Sequence, residues 1–370
     1  MLKRLVRRAI RGALGSARVR AVVDAELRTR RKAVVPEPAA LAATEFIDRH
    51  GAVHPLDATL RDRLKPSWRT MLDPVAVAQP PSDDVLRDRA RKAATVVGEA
   101  SSLVAAATGQ PLDGRILEVG CYDGAAAYQL ARRPGVEVVA SDLSRYYLVQ
   151  RPGASVDADV GSQQALLARI RERAGAVSGA APGTVAFVED DITRSTLATA
   201  SFDAIVSFEV LEHVADPVAA FTGMARLLRP GGVLYHDYNP FFSINGGHSP
   251  GTLDFPWGHA RLDAEDFERY LRELRPSEID QARRFYGENL NRMTLADLRE
   301  AVSAAGLELV ALVPWTDRAL VPSLGPEVLA QVRRNYPTAA VEDLLATFVA
   351  VIARRPGGSD RPEAPQQPPR

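Results

Sequence analysis

An apolar stretch that runs straight into a glycine turn, with a helical pattern starting at once behind it, constrains this chain more than any other feature. Ile116-Leu117-Glu118-Val119 leads into Gly120-Cys121-Tyr122-Asp123-Gly124, and Ala125 opens the next helix. Glycine lets a backbone approach a ligand closely, and the first turn of a helix offers free N–H groups. A strand, turn and helix in this order is also the repeating unit of a parallel sheet. Residues 113–238 continue the pattern: strands are expected at 115–119, 136–141, 184–188, 203–207 and 232–237, with helices near 124–132, 162–174 and 216–228. A helix at 294–305 and strands at 306–313 and 345–353 complete a Rossmann-like, doubly wound, mostly parallel α/β sheet.

The spacing of the turn selects among ligands. Gly120 and Gly124 form Gly-x-x-x-Gly, so neither the dinucleotide fingerprint nor a phosphate-binding Gly-Lys-Ser/Thr loop is met. Glu118, just before the first glycine, would repel a pyrophosphate and suit a cation. Further acids stand at the ends of the next strands: Asp142 with Leu143 beside it, then Asp190-Asp191-Ile192. A carboxylate about 20 residues beyond such a loop can accept ribose hydroxyls. Asp191 could hold an adenine amino group, with Ile192 over the ring. Any one of these acids taken singly reads first as a helix cap or turn residue. All three in order, at the ends of successive strands, are hard to explain as caps.

Composition sets outer limits. The 370 residues carry no net charge, so charge gives no reason to expect a nucleic-acid partner. Cys121 is the single cysteine, which excludes an intramolecular disulfide and a zinc site built on several thiolates. No apolar run approaches the ~20 residues that span a bilayer, no signal peptide is read, and a cytoplasmic enzyme is expected. Residues 1–82 read as a basic helical arm. Within it, Leu2, Leu5, Val6, Ile10 and Leu14 alternate with Lys3, Arg4, Arg7, Arg8 and Arg11. Residues 1–32 therefore suit peripheral contact with an anionic membrane, or a solvated helix packed on one face; the lack of Trp or Phe anchors favours the second. The main domain is expected at 83–354, interrupted at 239–285 by a segment read as an acceptor lid, and residues 355–370 read as a disordered tail.

Taken together, these motifs resemble the class I S-adenosylmethionine-dependent methyltransferases. Ile116–Gly124 looks like the family's first motif, Asp142 like its ribose acid and Asp191 like its adenine contact. Phe202–Val206, Ser207–Val214 and Leu228–Gly232 look like the fourth strand, the segment after it and the turn into the fifth. The resemblance covers roughly 85–238 and 290–353. It implies S-adenosyl-L-methionine as donor, held by Glu118, Gly120, Cys121, Tyr122, Asp123, Gly124, Asp142, Leu143, Asp191, Ile192, Phe208 and Glu209. Tyr122 departs from the family, standing where it has a middle glycine.

Methyl transfer to a hydroxyl needs alignment and removal of a proton. His236, at the end of the fifth strand, and His213 are the catalytic candidates; His236 reads equally as a histidine hydrogen-bonded in the sheet edge. Glu209-Val210-Leu211-Glu212-His213 also resembles a cation-binding string of ribose-hydroxyl methyltransferases of small RNAs and some ubiquinone-pathway enzymes. Glu209, Glu212 and His213 would be its ligands. The expectation adopted is no metal, with Glu212 and His213 capping the next helix. In the lid, His248, Trp257 and His259 suggest an acceptor surface, either a carbohydrate-binding one or a packed cap. The first-choice acceptor is a sugar or glycosylated, lipid-linked metabolite. The rivals are a quinone or phenolic small molecule, with a drier and more aromatic pocket, and a non-catalytic scaffold that keeps the fold.

Overall fold

The computed structural model describes residues 43–357, apart from 67, 70–78, 150–155 and 182. The basic helix expected at 1–32 and the tail beyond residue 357 lie outside the described residues. So does the peripheral membrane contact expected of residues 1–32. No described helix is long and apolar enough to cross a membrane.

In chain order the elements used below are β1 (Glu45–Ile47), β2 (Val53–Pro55), α1 (Leu60–Leu64), α2 (Asp83–Thr108), β3 (Arg115–Val119), α3 (Ala125–Leu130), β4 (Glu137–Asp142), α4 (Ser144–Val149), α5 (Val156–Ser178) and β5 (Val185–Glu189). There follow β6 (Phe202–Phe208), α6 (Pro217–Leu227), β7 (Leu228–Tyr238), α7 (Ala264–Leu274), α8 (Ile279–Glu288), α9 (Leu295–Ala304), β8 (Glu308–Thr316), α10 (Pro326–Asn335) and β9 (Ala346–Arg354). Helix α2 shows why such segments form: Ser82 Oγ accepts from Val85 N, Leu86, Ala93, Val97, Ala100 and Val104 line one buried face, and Gly109 closes it at φ 71°.

The large sheet has seven strands in the order β5-β4-β3-β6-β7-β9-β8. Pairings from β5 through β7 are parallel, and β9 runs antiparallel between β7 and β8. This is the expected Rossmann-like fold. The chain leaves β3 toward β4 and later returns to β6 on the other side. The loops after β3 and β6 therefore frame a crevice at the strands' C-terminal edge, where doubly wound sheets bind ligands.

Each face of the sheet buries its own apolar layer. Helices α6 and α9 cover one face, where Phe221, Met224 and Leu298 join Ile205 and Leu234 of the strands. On the other face Val97, Val104, Leu130 and Ile170 pack on Ile116, Val206 and Tyr235. A third core lies in the 239–285 insertion, where Phe241, Phe242, Phe255, Trp257, Phe267 and Tyr270 pack with Val332 and Leu344. Each such side chain contributes roughly 1.5–3 kcal/mol by leaving water. The insertion is thus a packed subdomain, not an aromatic surface. The described part of the N-terminal arm is built into it: Asp57 N donates to Asp254 O at 2.7 Å, His54 stacks on Phe255 at 4.6 Å, and Arg49 N donates to the Asp266 carboxylate at 3.1 Å.

Candidate active site

Gly120 and Gly124 hold φ of 75° and 78°, in the left-handed region that glycine reaches without strain. At Gly120 the two crevice loops meet, since a Cβ there would fall 2.4 Å from a methyl of Val210. Tyr122 takes φ 44° in the same loop, so it keeps a glycine-like bend at a cost of roughly 1–2 kcal/mol. Its surroundings offset that cost. Tyr122 N donates to Asp142 Oδ2 at 2.7 Å, Arg171 Nε donates to Tyr122 O at 2.8 Å, and the ring lies beside Tyr147 and under Arg89.

Asp142 is buried and crowded with donors. Its Oδ1 accepts from Leu143 N at 2.8 Å. Its Oδ2 accepts from Tyr122 N, from Tyr147 Oη at 2.9 Å and from Arg171 Nη2 at 3.1 Å. Burial raises the carboxyl above its usual range, and Arg171 opposes that rise. Asp123 accepts from Arg89 at 3.0 Å and from Ala125 N, at the start of α3. Cys121 is buried, and burial pushes its thiol well up, so it is inert. Glu118 differs from its neighbours. It is buried with Oε2 unpartnered, and burial, then Asp123 and Asp142, raise its pKa well above the usual value. An orphaned buried carboxyl oxygen fits a cationic ligand.

Other residues expected at the site are engaged in the chain's own contacts. Asp191 caps a short turn, accepting from Thr193 N at 3.0 Å and Thr193 Oγ1 at 2.7 Å, and pairs with Arg194 at 3.1 Å. Ile192, expected over a ring, is buried in the apolar layer with Phe221 and Met224. His236 shares the strand face of Leu234 and Tyr238, beneath the sheet and edge-on to Phe221. It shares a 2.6 Å hydrogen bond with Ser207 Oγ, and burial drives its pKa down to about 3. It is a neutral core histidine, removed from the crevice because alternation sends residues 234, 236 and 238 one way and 235 and 237 the other. Trp257 and His259 are fully buried; they donate to Leu344 O at 3.1 Å and Phe241 O at 2.7 Å. Glu212 and His213 do not cap α6, because Asp216 does, accepting from Ala219 N at 2.9 Å.

What Glu212 and His213 do instead is converge with His248. One ligand atom from each of the three lies within 4.8 Å of the others. Glu212 Oε1 accepts from Asn239 N at 3.2 Å, while Oε2 has no partner; burial raises its pKa to about 8. His213 Nδ1–H donates to Asn289 O at 2.7 Å, which leaves the lone pair on Nε2. Burial holds its pKa at about 4. His248, at φ 53°, leaves Nε2 unpartnered, 3.8 Å from Glu212 Oε1. The cluster is walled by rings: His213 stands 5.1 Å from Tyr146 and 6.0 Å from Phe285. Two orphaned buried atoms and a pinned imidazole form a donor set that suits a divalent cation such as zinc. Glu209 is exposed at φ 55°; its N–H donates to Asp237 O at 2.9 Å and Oδ1 at 3.2 Å. Phe208 packs 6.0 Å from Tyr235.

Sequence reading missed three residues here. Asp237 sits beside His236 but on the opposite face of β7; burial, first of all, raises it to about 7, and Tyr235 Oη donates to it at 3.1 Å. Strand alternation could have found it. Arg171 and Tyr147 come from helices whose sequence carries no motif.

Comparison with known proteins follows the same line. Residues 86–312, more than half of the chain, match the model of a family described as a methyltransferase domain. The ubiquinone biosynthesis O-methyltransferase of Xanthomonas oryzae pv. oryzae is 34% identical over 121 residues, 33% of this chain and 41% of that protein. Its namesake in Alkalilimnicola ehrlichii is 31% identical over 176 residues, 45% of this chain and 57% of that protein. The chain thus spans about half the length of the curated relatives it matches. Among solved structures, an S-adenosylmethionine dependent methyltransferase from Mesorhizobium loti aligns at TM-score 0.40 and 17% identity, covering 70% of this chain and 100% of that one. Phosphoethanolamine N-methyltransferase 2 of Haemonchus contortus, with S-adenosyl-L-methionine, aligns at 0.39 and 16%, covering 70% and 52%.

Proposed function

The chain belongs to the methyltransferase-domain family, and from that premise we propose that it transfers the methyl group of S-adenosylmethionine to a hydroxyl of a quinone-type or phenolic small molecule. The observation that carries this reading is the Glu212–His213–His248 cluster inside its aromatic wall of Tyr146 and Phe285. A planar ring bearing hydroxyls suits such a wall. The relatives named for ubiquinone biosynthesis point to the same acceptor class. A sugar acceptor loses its support, because Trp257 and His259 are spent on the insertion's own core.

On this reading Glu118 supplies the free carboxyl oxygen for the donor's positive charge, and Asp142 is the ribose acid. The acceptor hydroxyl faces His213, whose Nδ1–H is fixed on Asn289 O so that Nε2 receives a proton. Glu212, His213 and His248 are also the residues that would hold a divalent cation. Such a cation would lower the pKa of the acceptor hydroxyl. The buried insertion keeps water from the reacting groups, which mainly need alignment.

Calorimetry with S-adenosylmethionine, then turnover of a catechol with and without chelator, tests the reading. Donor binding with no turnover of any catechol would remove the acceptor class. A second reading, a scaffold that keeps the fold without catalysis, is favoured by the saturated Asp142 carboxylate alone. Absence of donor binding would decide for it.

A further inference from the structure

Helix α4 brings a phenol to the acid read above as the ribose ligand. Tyr147 Oη donates to Asp142 Oδ2 at 2.9 Å, as a ribose hydroxyl would. Burial, and next the Asp142 charge, push the phenol well above its usual range, so it keeps its proton and stays a donor. The other donors on that oxygen are harder to remove. Tyr122 N belongs to the backbone, and Arg171 is also tied to Tyr122 O at 2.8 Å. The phenol is held on Oδ2 by a single hydrogen bond from a side chain.

Tyr147 is also the second of five rings in line. Tyr122 and Tyr147 stand 5.1 Å apart, Tyr147 and Tyr146 5.2 Å, Tyr146 and His213 5.1 Å, and His213 and His248 4.9 Å. The line starts in the loop after β3 and ends in the Glu212–His213–His248 cluster. Tyr146 and Tyr147 meet edge to face at 85°, so neither ring swings without moving the other. The start of α4 is tied to β5, because Ser144 N and Oγ each donate to Glu189 at 2.7 Å. The movement therefore falls on side chains. Tyr146 has no way forward into His213, which is fixed on Asn289 O at 2.7 Å and packed with Phe285 and His248. Displaced, it moves off that imidazole. At 5.1 Å no third ring fits between Tyr146 and His213, since two face contacts of roughly 3.5 Å need about 7 Å.

We propose that Tyr147 holds the ribose place on Asp142 until S-adenosylmethionine displaces it, and that Tyr146 passes the movement on and uncovers His213 for the acceptor. This rests on Asp142 as the ribose acid and on His213 as the group that faces the acceptor, and it adds the regulation of that site. Donor binding then precedes and promotes acceptor binding, so an acceptor does not fill the site ahead of the methyl group. By linkage each ligand raises the affinity for the other by the same factor, about fivefold or more.

The test is calorimetry on the full chain with S-adenosylhomocysteine, which fills the donor site without reacting, and with catechol. Saturating S-adenosylhomocysteine is expected to raise catechol affinity at least about fivefold in the unaltered chain and to leave it unchanged in Tyr146→Ala. In Tyr147→Phe, where no phenol competes for Oδ2, affinity for S-adenosylhomocysteine is expected to rise about tenfold. Unchanged or weaker binding in Tyr147→Phe overturns the proposal, and so does catechol affinity that ignores S-adenosylhomocysteine in the unaltered chain. A fluorine NMR signal from 3-fluorotyrosine in place of Tyr146 follows that ring without any acceptor. It is expected to shift when S-adenosylhomocysteine binds, and to stay in place in Tyr147→Ala. Calorimetric binding of S-adenosylhomocysteine with no shift overturns the proposal and leaves the donor reading intact. A shift of the expected kind with no catechol bound at all would instead sink the acceptor class proposed above and leave the roles of Tyr147 and Tyr146 standing.

Discussion

The two sides of the crevice are built differently. Along the side proposed for the donor, the loop after β3 and the end of β4, hydrogen-bonding capacity is already filled by the chain itself. Three donors share Asp142 Oδ2, Arg89 holds Asp123, and only Glu118 Oε2 is left over. Along the side proposed for the acceptor, formed by the loop after β6 and the insertion, Glu212 Oε2 and His248 Nε2 lack partners, and His213 keeps its lone pair on Nε2. A ligand entering the first must displace side chains; one entering the second completes bonds the fold has left open. Unmade bonds of buried groups are costly, about 1–3 kcal/mol each, so the acceptor side stores the larger incentive to bind.

The sharpest way to break this contrast is His213→Ala. If His213 acts only on the acceptor, kcat should fall by about 10²–10⁴ while the calorimetric affinity for S-adenosylmethionine is retained. A comparable loss of donor affinity would mean that the two sides are one site.

Acid titration separates the histidines from the donor-side acids. His236 falls from the ordinary 6.5 to about 3, and His259 to about 4. A folded pKa below the unfolded one gives stability that is present above 6.5 and is lost as pH falls toward the folded value. His236 alone should account for about 3 kcal/mol of the stability lost between pH ~6.5 and ~4. Denaturant melts of His236→Asn at several pH values should show a shallower acid limb. Glu118 and Asp142 are shifted upward, so their contribution runs the other way, present at low pH and lost as pH rises. An unchanged acid limb in His236→Asn would show that its imidazole does not stay neutral in the folded chain.

Next in size is Asp142→Ala. Loss of a charged acceptor for ribose hydroxyls should weaken donor binding about tenfold to a hundredfold. Calorimetric affinity equal to that of the unaltered chain would show that Asp142 is not the ribose acid.

These sites were unequally legible in the sequence. The sheet was readable because strand and helix periods are local, and the turn at Gly120–Gly124 because its residues are consecutive. His236 was misplaced by position alone; counting alternation from Leu234 would have put it in the apolar layer beside Phe221. Trp257 and His259 look like a binding surface in one dimension. Only the third core, which joins them to Val332 and Leu344 far along the chain, shows where they go. His248 was noticed, but its convergence with Glu212 needs the insertion folded back on the loop after β6. Arg171 had no signal at all, since a basic residue on a helix is ordinarily a solvated one.

Arg171 carries the smallest of the expected effects. Its guanidinium ties Asp142 Oδ2 at 3.1 Å and Tyr122 O at 2.8 Å, and so occupies both the acid and the loop that a donor would need. In Arg171→Met one of three donors leaves Oδ2, and a ribose hydroxyl can take its place without competition. If the donor side is closed by its own side chains, affinity for S-adenosylmethionine should rise about tenfold, the equivalent of one charge-assisted hydrogen bond. The folded chain should be somewhat less stable, because Asp142 then loses the cation that opposes its burial. Weaker donor binding in this variant would mean that Arg171 helps to form the donor site, and the contrast between a filled side and an open one would no longer hold.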